Sequence, residues 1–208
     1  MRSEAELSLM EDLSLHVLDI AENATTAGAS LVQISIKQDS GEDLLTITIR
    51  DNGRGMDREI LEGATDPFVT TRKNRRVGLG LPLLAQAAEE AGGDFSIKSE
   101  PRRGTEVKAT FQAGHIDRKP LGDMGSTLLT LALGNPEVDF VYESDLDGER
   151  ITLDTRIIRA QLDEHTSMSD PRVLNLIRTL LNGDRKVLEN AFTADGGNRN
   201  DKASSGRP

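Results

Sequence analysis

Asp51, Asn52, Gly53, Arg54, Gly55 and Met56 follow directly on an alternating apolar run, Leu45, Ile47 and Ile49. Asp51 continues the parity of that run, so its carboxylate is expected to face the same interior as the isoleucines. An ionised carboxylate taken out of water is costly unless donors reach it. The position therefore marks either an ordinary Asp-Asn-Gly turn or an acceptor for a donor on a ligand. Thr105, after Gly104, shares parity with Val107, Ala109 and Phe111, so its hydroxyl is also expected to point inward, near Asp51.

Gly78, Leu79, Gly80, Leu81 and Pro82 form a glycine turn opening a helix, where free backbone amides can cradle phosphate. It is not a Walker loop, because no Gly-Lys-Ser/Thr follows, and Leu83 stands where a dinucleotide fingerprint needs its third glycine. Just upstream, Thr70, Thr71 and Arg72 lead into Lys73, Arg75 and Arg76, a concentration of positive charge in an acidic chain. Asp19 and Asn23 stand four residues apart, one above the other on a helix. His16, His115 and His165 fit no zinc spacing, and His16 is expected to be a structural or exposed imidazole.

These residues need elements to hold them. Residues 4–23 read as an amphipathic helix, with Met10, Leu13, Val17 and Ile20 on one stripe and Asp12, His16, Asp19 and Asn23 on another, stopped by Gly28. Val32, Ile34 and Ile36 alternate, as do Leu45, Ile47 and Ile49, which predicts a hairpin around residues 39–43. A loop over residues 62–77 is followed by a helix at 82–91, ended by Gly92 and Gly93. Phe95/Ile97 and Val107/Ala109/Phe111 predict a second strand pair. Beyond Gly114 the pattern predicts a helix at 121–133, a hairpin around residues 145–148, and a helix opened by Asp170 and Pro171. Residues 194–208 are Gly-, Asn-, Asp- and Ser-rich and are expected to be disordered.

Composition narrows the classes. The chain has 208 residues, a formal charge of −10 and no cysteine. The acidity speaks against broad attraction to nucleic acid. The lack of cysteine removes disulfides, thiolate chemistry and cysteine-held clusters. The first residues are acidic and lack an apolar core, and no apolar run reaches the roughly 18–20 residues of a membrane span. A cytoplasmic protein without a membrane span is expected.

In order and spacing, the four stretches around Asp19–Asn23, Asp51–Met56, Thr70–Leu81 and Gly104–Thr105 resemble the ATP pocket of the GHKL superfamily of gyrase, heat-shock chaperone, histidine kinase and MutL. The resemblance covers about the first 111 residues. It implies an α/β fold, a Bergerat-type two-layer sandwich with a mixed sheet and helices on one face, over residues 1–113. Residues 114–193 would be a small α+β extension. The resemblance also implies that Asp51 accepts from the adenine amine, with Gly53, Gly55 and Met56 shaping the loop around the base and Thr105 beside it. Asn23 would ligate magnesium. Thr70, Thr71, Arg72, Gly78, Leu79, Gly80 and Leu81 would form the lid and phosphate cradle. Asp19 stands where hydrolytic members carry a Glu and histidine kinases usually carry Asn. Three roles are open for it: a base acting through water, a group near the magnesium shell, or a solvated helix carboxylate.

What the ATP serves has three readings. The lid and glycine box resemble the histidine-kinase branch, but no phosphoacceptor helix is recognisable before them, so a partner is expected to supply the acceptor. The run Glu22 to Ala29 resembles the MutL helix, implying a conformational ATPase. The third is an ATP sensor. The segment from His115 to Tyr142 resembles the extension of small proteins encoded near hydrogenase subunits, which implies a redox-enzyme partner.

Overall fold

The computed structural model describes residues 12–65, 80–163 and 166–181. The first helix among the described residues, α1 (Leu13–Thr26), is capped by Asp12, whose carboxylate accepts from the Leu15 amide at 3.1 Å and the Ser14 hydroxyl at 2.7 Å. Two further amides of its first turn, on Leu13 and Ser14, donate to the carbonyls of Pro120 and Leu121, both at 2.9 Å. A distant segment thus satisfies donors that a helix start leaves open. Leu13, Val17, Ile20, Ala21 and Ala24 are buried, and Gly28, with φ 78°, ends the helix.

Strands β1 (Leu31–Asp39) and β2 (Leu44–Asp51) form the expected hairpin, with Ile34 opposite Ile49 and Ile36 opposite Ile47. All four isoleucines are buried, each contributing roughly 1.5–3 kcal/mol by leaving water. A short helix α2 (Arg58–Glu62) follows, and then α3 (Gly80–Glu90), which begins two residues earlier than its apolar pattern suggests. Strands β3 (Phe95–Glu100) and β4 (Gly104–Gln112) pair antiparallel, and β4 lies against β2.

The remaining elements are α4 (Met124–Gly134), β5 (Asp139–Leu146), β6 (Glu149–Asp154), α5 (Thr155–Arg159) and α6 (Pro171–Leu181). The strands at residues 139–154 make the expected hairpin and join the same sheet, because β5 runs parallel to β1. The order is β3-β4-β2-β1-β5-β6, six strands of mixed direction. One face buries Val32, Ile34, Ile47, Ile49, Phe140 and Tyr142 against the helices. The other presents Gln33, Ser35, Lys37, Arg50, Lys98, Lys108 and Glu143 as exposed side chains. The result is the two-layer α/β sandwich with helices on one face. Helix α1 packs between α3 and α4, so it touches both the candidate site and the C-terminal elements.

Candidate functional site

A cavity of about 300 Å³ opens between α1, the ends of β2 and β4, and the segment leading into α2. This is near the small end of ligand pockets, which run roughly 300–1,000 Å³. Ile20 and Ala24 of α1, Ile49 and Val107 of the sheet, Met56, Ile60 and Leu81 make most of it apolar. Asn23, Thr26, Asp51, Arg54 and Thr105 supply the polar wall.

Asp51 is half-buried at the end of β2. Its Oδ1 accepts from the Gly53 amide at 2.7 Å, and the Thr105 amide also donates to the carboxylate. Burial raises its pKa above the ordinary carboxylate value, and the two amides pull it back. The carboxylate is therefore fixed in place with acceptor capacity left for the cavity.

The loop after Asp51 is held by main chain. A Cβ on Gly53 would stand 2.9 Å from Asp51 Oδ1 and 3.1 Å from the Ala27 carbonyl. The Arg54 amide donates to that Ala27 carbonyl at 3.0 Å, tying the loop to the end of α1. Gly55, with φ 64°, lies so near Glu100 that a Cβ would meet its carbonyl oxygen at 2.0 Å. Only glycine fits there without displacing backbone. Asn52 Oδ1 accepts from the Ser30 and Leu31 amides at 2.9 and 3.0 Å, anchoring the loop to the start of β1.

The sequence-derived site residues divide into four groups. Asn23, Asp51, Gly55, Met56, Leu81 and Thr105 share the cavity wall. Gly53 is buried behind Asp51. Gly80 and Asp19 meet beside the cavity rather than on its wall: a Cβ on Gly80 would stand 1.8 Å from Asp19 Oδ2. Thr70, Thr71, Arg72, Gly78 and Leu79 lie outside the described residues, as do His165 and residues 194–208.

Three contributors are not singled out by the sequence. Ser99 on β3 accepts from the Met56 amide at 2.8 Å, donates to the Gly104 carbonyl at 2.9 Å and lies 2.9 Å from Thr105 Oγ1. Arg54 and Thr26 stand at the cavity wall. Ser99 does share the parity of Phe95 and Ile97, which sets it apart from the exposed Ser96, and that alternation is the signal that could have found it.

His16 is fully buried and does not line the cavity. Its Nε2 lies 3.5 Å from Lys119 Nζ, and its Nδ1 has no hydrogen-bond partner among the described residues. Burial, with Lys119 adding to it, lowers its pKa to about 4. Among the described residues no three acids or histidines cluster as a metal site, and Asn23 places a neutral amide on the cavity wall. No helix among the described residues is long and apolar enough to cross a membrane.

Comparison with known proteins adds to this geometry. The family model described as "Histidine kinase-, DNA gyrase B-, and HSP90-like ATPase" matches residues 10–115. Sporulation kinase D of Bacillus subtilis is 34% identical over 95 residues, 46% of this chain and 19% of that protein. A putative sensor protein of Shewanella frigidimarina is 36% identical over 76 residues, 36% of this chain and 12% of its own length. The chain thus spans less than a fifth of these relatives. Among solved structures, the N-terminal domain of a DNA repair protein superposes with a TM-score of 0.50 at 17% identity, over 71% of this chain and 53% of that one. That likeness is one of fold.

Proposed function

The chain belongs to the histidine kinase-, DNA gyrase B- and HSP90-like ATPase family, and its residues 10–115 are an ATP-binding domain of that type; we propose that ATP binds with magnesium beside Asp51 and that the chain phosphorylates or regulates a protein partner. The observation that carries this reading is Asp51 itself, a half-buried acceptor braced by two amides at the base of an apolar cavity. An adenine amine supplies the hydrogen bond that burial makes valuable, whereas a guanine carbonyl would face the carboxylate with repulsion. Ile49, Val107 and Met56 offer apolar surface to the ring.

Asn23 would hold magnesium through its amide oxygen, a hard neutral ligand for a cation that keeps water and phosphate oxygens. Magnesium, when bound, offsets the charge of the phosphates. Thr70, Thr71, Arg72, Gly78, Leu79, Gly80 and Leu81 are assigned to those phosphates, at and before the start of α3.

Asp19 meets Gly80 at the start of α3 and is one methylene shorter than the Glu of hydrolytic members, which suits slow hydrolysis and leaves the terminal phosphate for an acceptor on a partner. If the chain is instead an ATP-sensing subunit, the resemblance of residues 115–142 supports a redox complex of hydrogenase type as its partner. A second reading, a conformational ATPase, is favoured by the Pro120 and Leu121 carbonyls that bind the first amides of α1. Any movement of the helix carrying Asn23 would then reach the C-terminal elements.

The test is incubation of the full chain with γ-labelled ATP, alone and with co-purified proteins. Label on a partner is the expected result. Rapid release of free phosphate favours the conformational ATPase. Absence of both leaves a sensor and contradicts phosphotransfer.

A further inference from the structure

Ser99 sits behind the cavity wall, and its hydroxyl is fully committed. It receives the Met56 amide hydrogen at 2.8 Å, reaches the Gly104 carbonyl at 2.9 Å, and lies 2.9 Å from Thr105 Oγ1. A hydroxyl has one hydrogen and two lone pairs. The Met56 amide can only donate and the Gly104 carbonyl can only accept. The assignment that satisfies every group gives Ser99's hydrogen to Gly104 and makes Thr105 the donor to Ser99. Thr105 has then spent its own hydrogen on the protein. Thr105 lines the cavity together with Asp51, so its remaining lone pairs are left for a ligand beside the carboxylate, whose neighbouring donors, the Gly53 and Thr105 amides, lie in the backbone.

We propose that Ser99 is a positioning residue for base selection: by fixing Thr105 as an acceptor next to Asp51, it gives the cavity an acceptor-only edge that takes a purine bearing an exocyclic amine and rejects one bearing a carbonyl there. Without Ser99 the Thr105 hydroxyl is free to rotate and donate to such a carbonyl, so selectivity falls through a side chain that touches no ligand. The inference rests on the reading that the cavity binds a purine nucleotide, and deepens it.

The experiment titrates the full chain and its variants with ATP and with ITP, which carries a carbonyl oxygen in place of the amine. The wild type is expected to prefer ATP. Ser99→Ala should narrow the ATP-to-ITP affinity ratio by about three- to tenfold, the worth of one hydrogen bond, chiefly by strengthening ITP. Ser99→Thr, which keeps the hydroxyl, should restore the wild-type ratio. Thr105→Val removes the same lone pairs with Ser99 intact, so it should also narrow the ratio and make Ser99→Ala silent in its background. It carries the test if Ser99→Ala does not fold. An unchanged ratio in both variants, with the two nucleotides weakened equally, overturns the inference and leaves the ATP reading standing. A wild type that binds neither nucleotide overturns both.

Discussion

Asp51 and Gly104 meet main chain to main chain: a Cβ placed on Gly104, whose φ is 81°, would stand 1.8 Å from the Asp51 carbonyl oxygen. The contact locks the end of β2 to the start of β4, and with it the carboxylate and the Thr105 hydroxyl. Gly104→Ala should therefore lower stability by at least about 2 kcal/mol, because the left-handed backbone and the backbone clash add. Gly134→Ala is the control, since a Cβ there meets nothing within 4 Å. Urea denaturation of both checks this, and equal midpoints would refute the locked geometry.

His16 should make the protein acid-sensitive. Its folded pKa of about 4 lies below the ordinary value of 6.5, so between those values the unfolded chain takes a proton that the folded chain refuses. Stability is present above about pH 6.5 and is lost as pH falls toward 4, by up to about 3 kcal/mol if the whole shift is expressed. His16→Leu should flatten that slope. An imidazole that titrates near 6.5 by NMR in the folded protein would contradict it.

Asp51 has the opposite sign. Its folded pKa is raised by burial, so its contribution is present at low pH and is lost as pH rises from the ordinary carboxylate value through the folded one. Relative to Asp51→Asn, the nucleotide-free wild type should lose stability across that window. ATP affinity should move the other way, rising with pH as the acceptor ionises. Parallel urea and calorimetric titrations against pH check the pair of trends.

Asn23→Ala should remove the magnesium-dependent share of ATP affinity. Chelating magnesium should then weaken the wild type strongly and the variant little. Equal sensitivity in both would remove Asn23 from the metal's shell.

Much of the site is legible in the sequence because parity survives folding. Ile47, Ile49 and Asp51 share a face in sequence and in structure, as do Thr105 and Val107. The turns at Gly28 and Gly92 mark helix ends for the same local reasons. What sequence could not supply were contacts made by distant segments. Ser99 matters only because the loop at Met56 folds onto β3. His16 lies on a polar stripe yet is buried, its ring lying near Lys119 of the segment that supplies Pro120 and Leu121 to α1. The parallel pairing of β1 with β5 depends on register across a hundred intervening residues. Helix α2 is not legible because, although Asp57 caps it, it buries no side chain and carries no apolar stripe to read.

The central claim is that Asp51 receives the adenine of ATP. Calorimetric titration of magnesium-ATP into the full chain and into Asp51→Asn tests it most directly. Micromolar binding by the wild type, weakened roughly tenfold to a hundredfold or more in the variant, is the predicted result; equal affinity in the two proteins would contradict it.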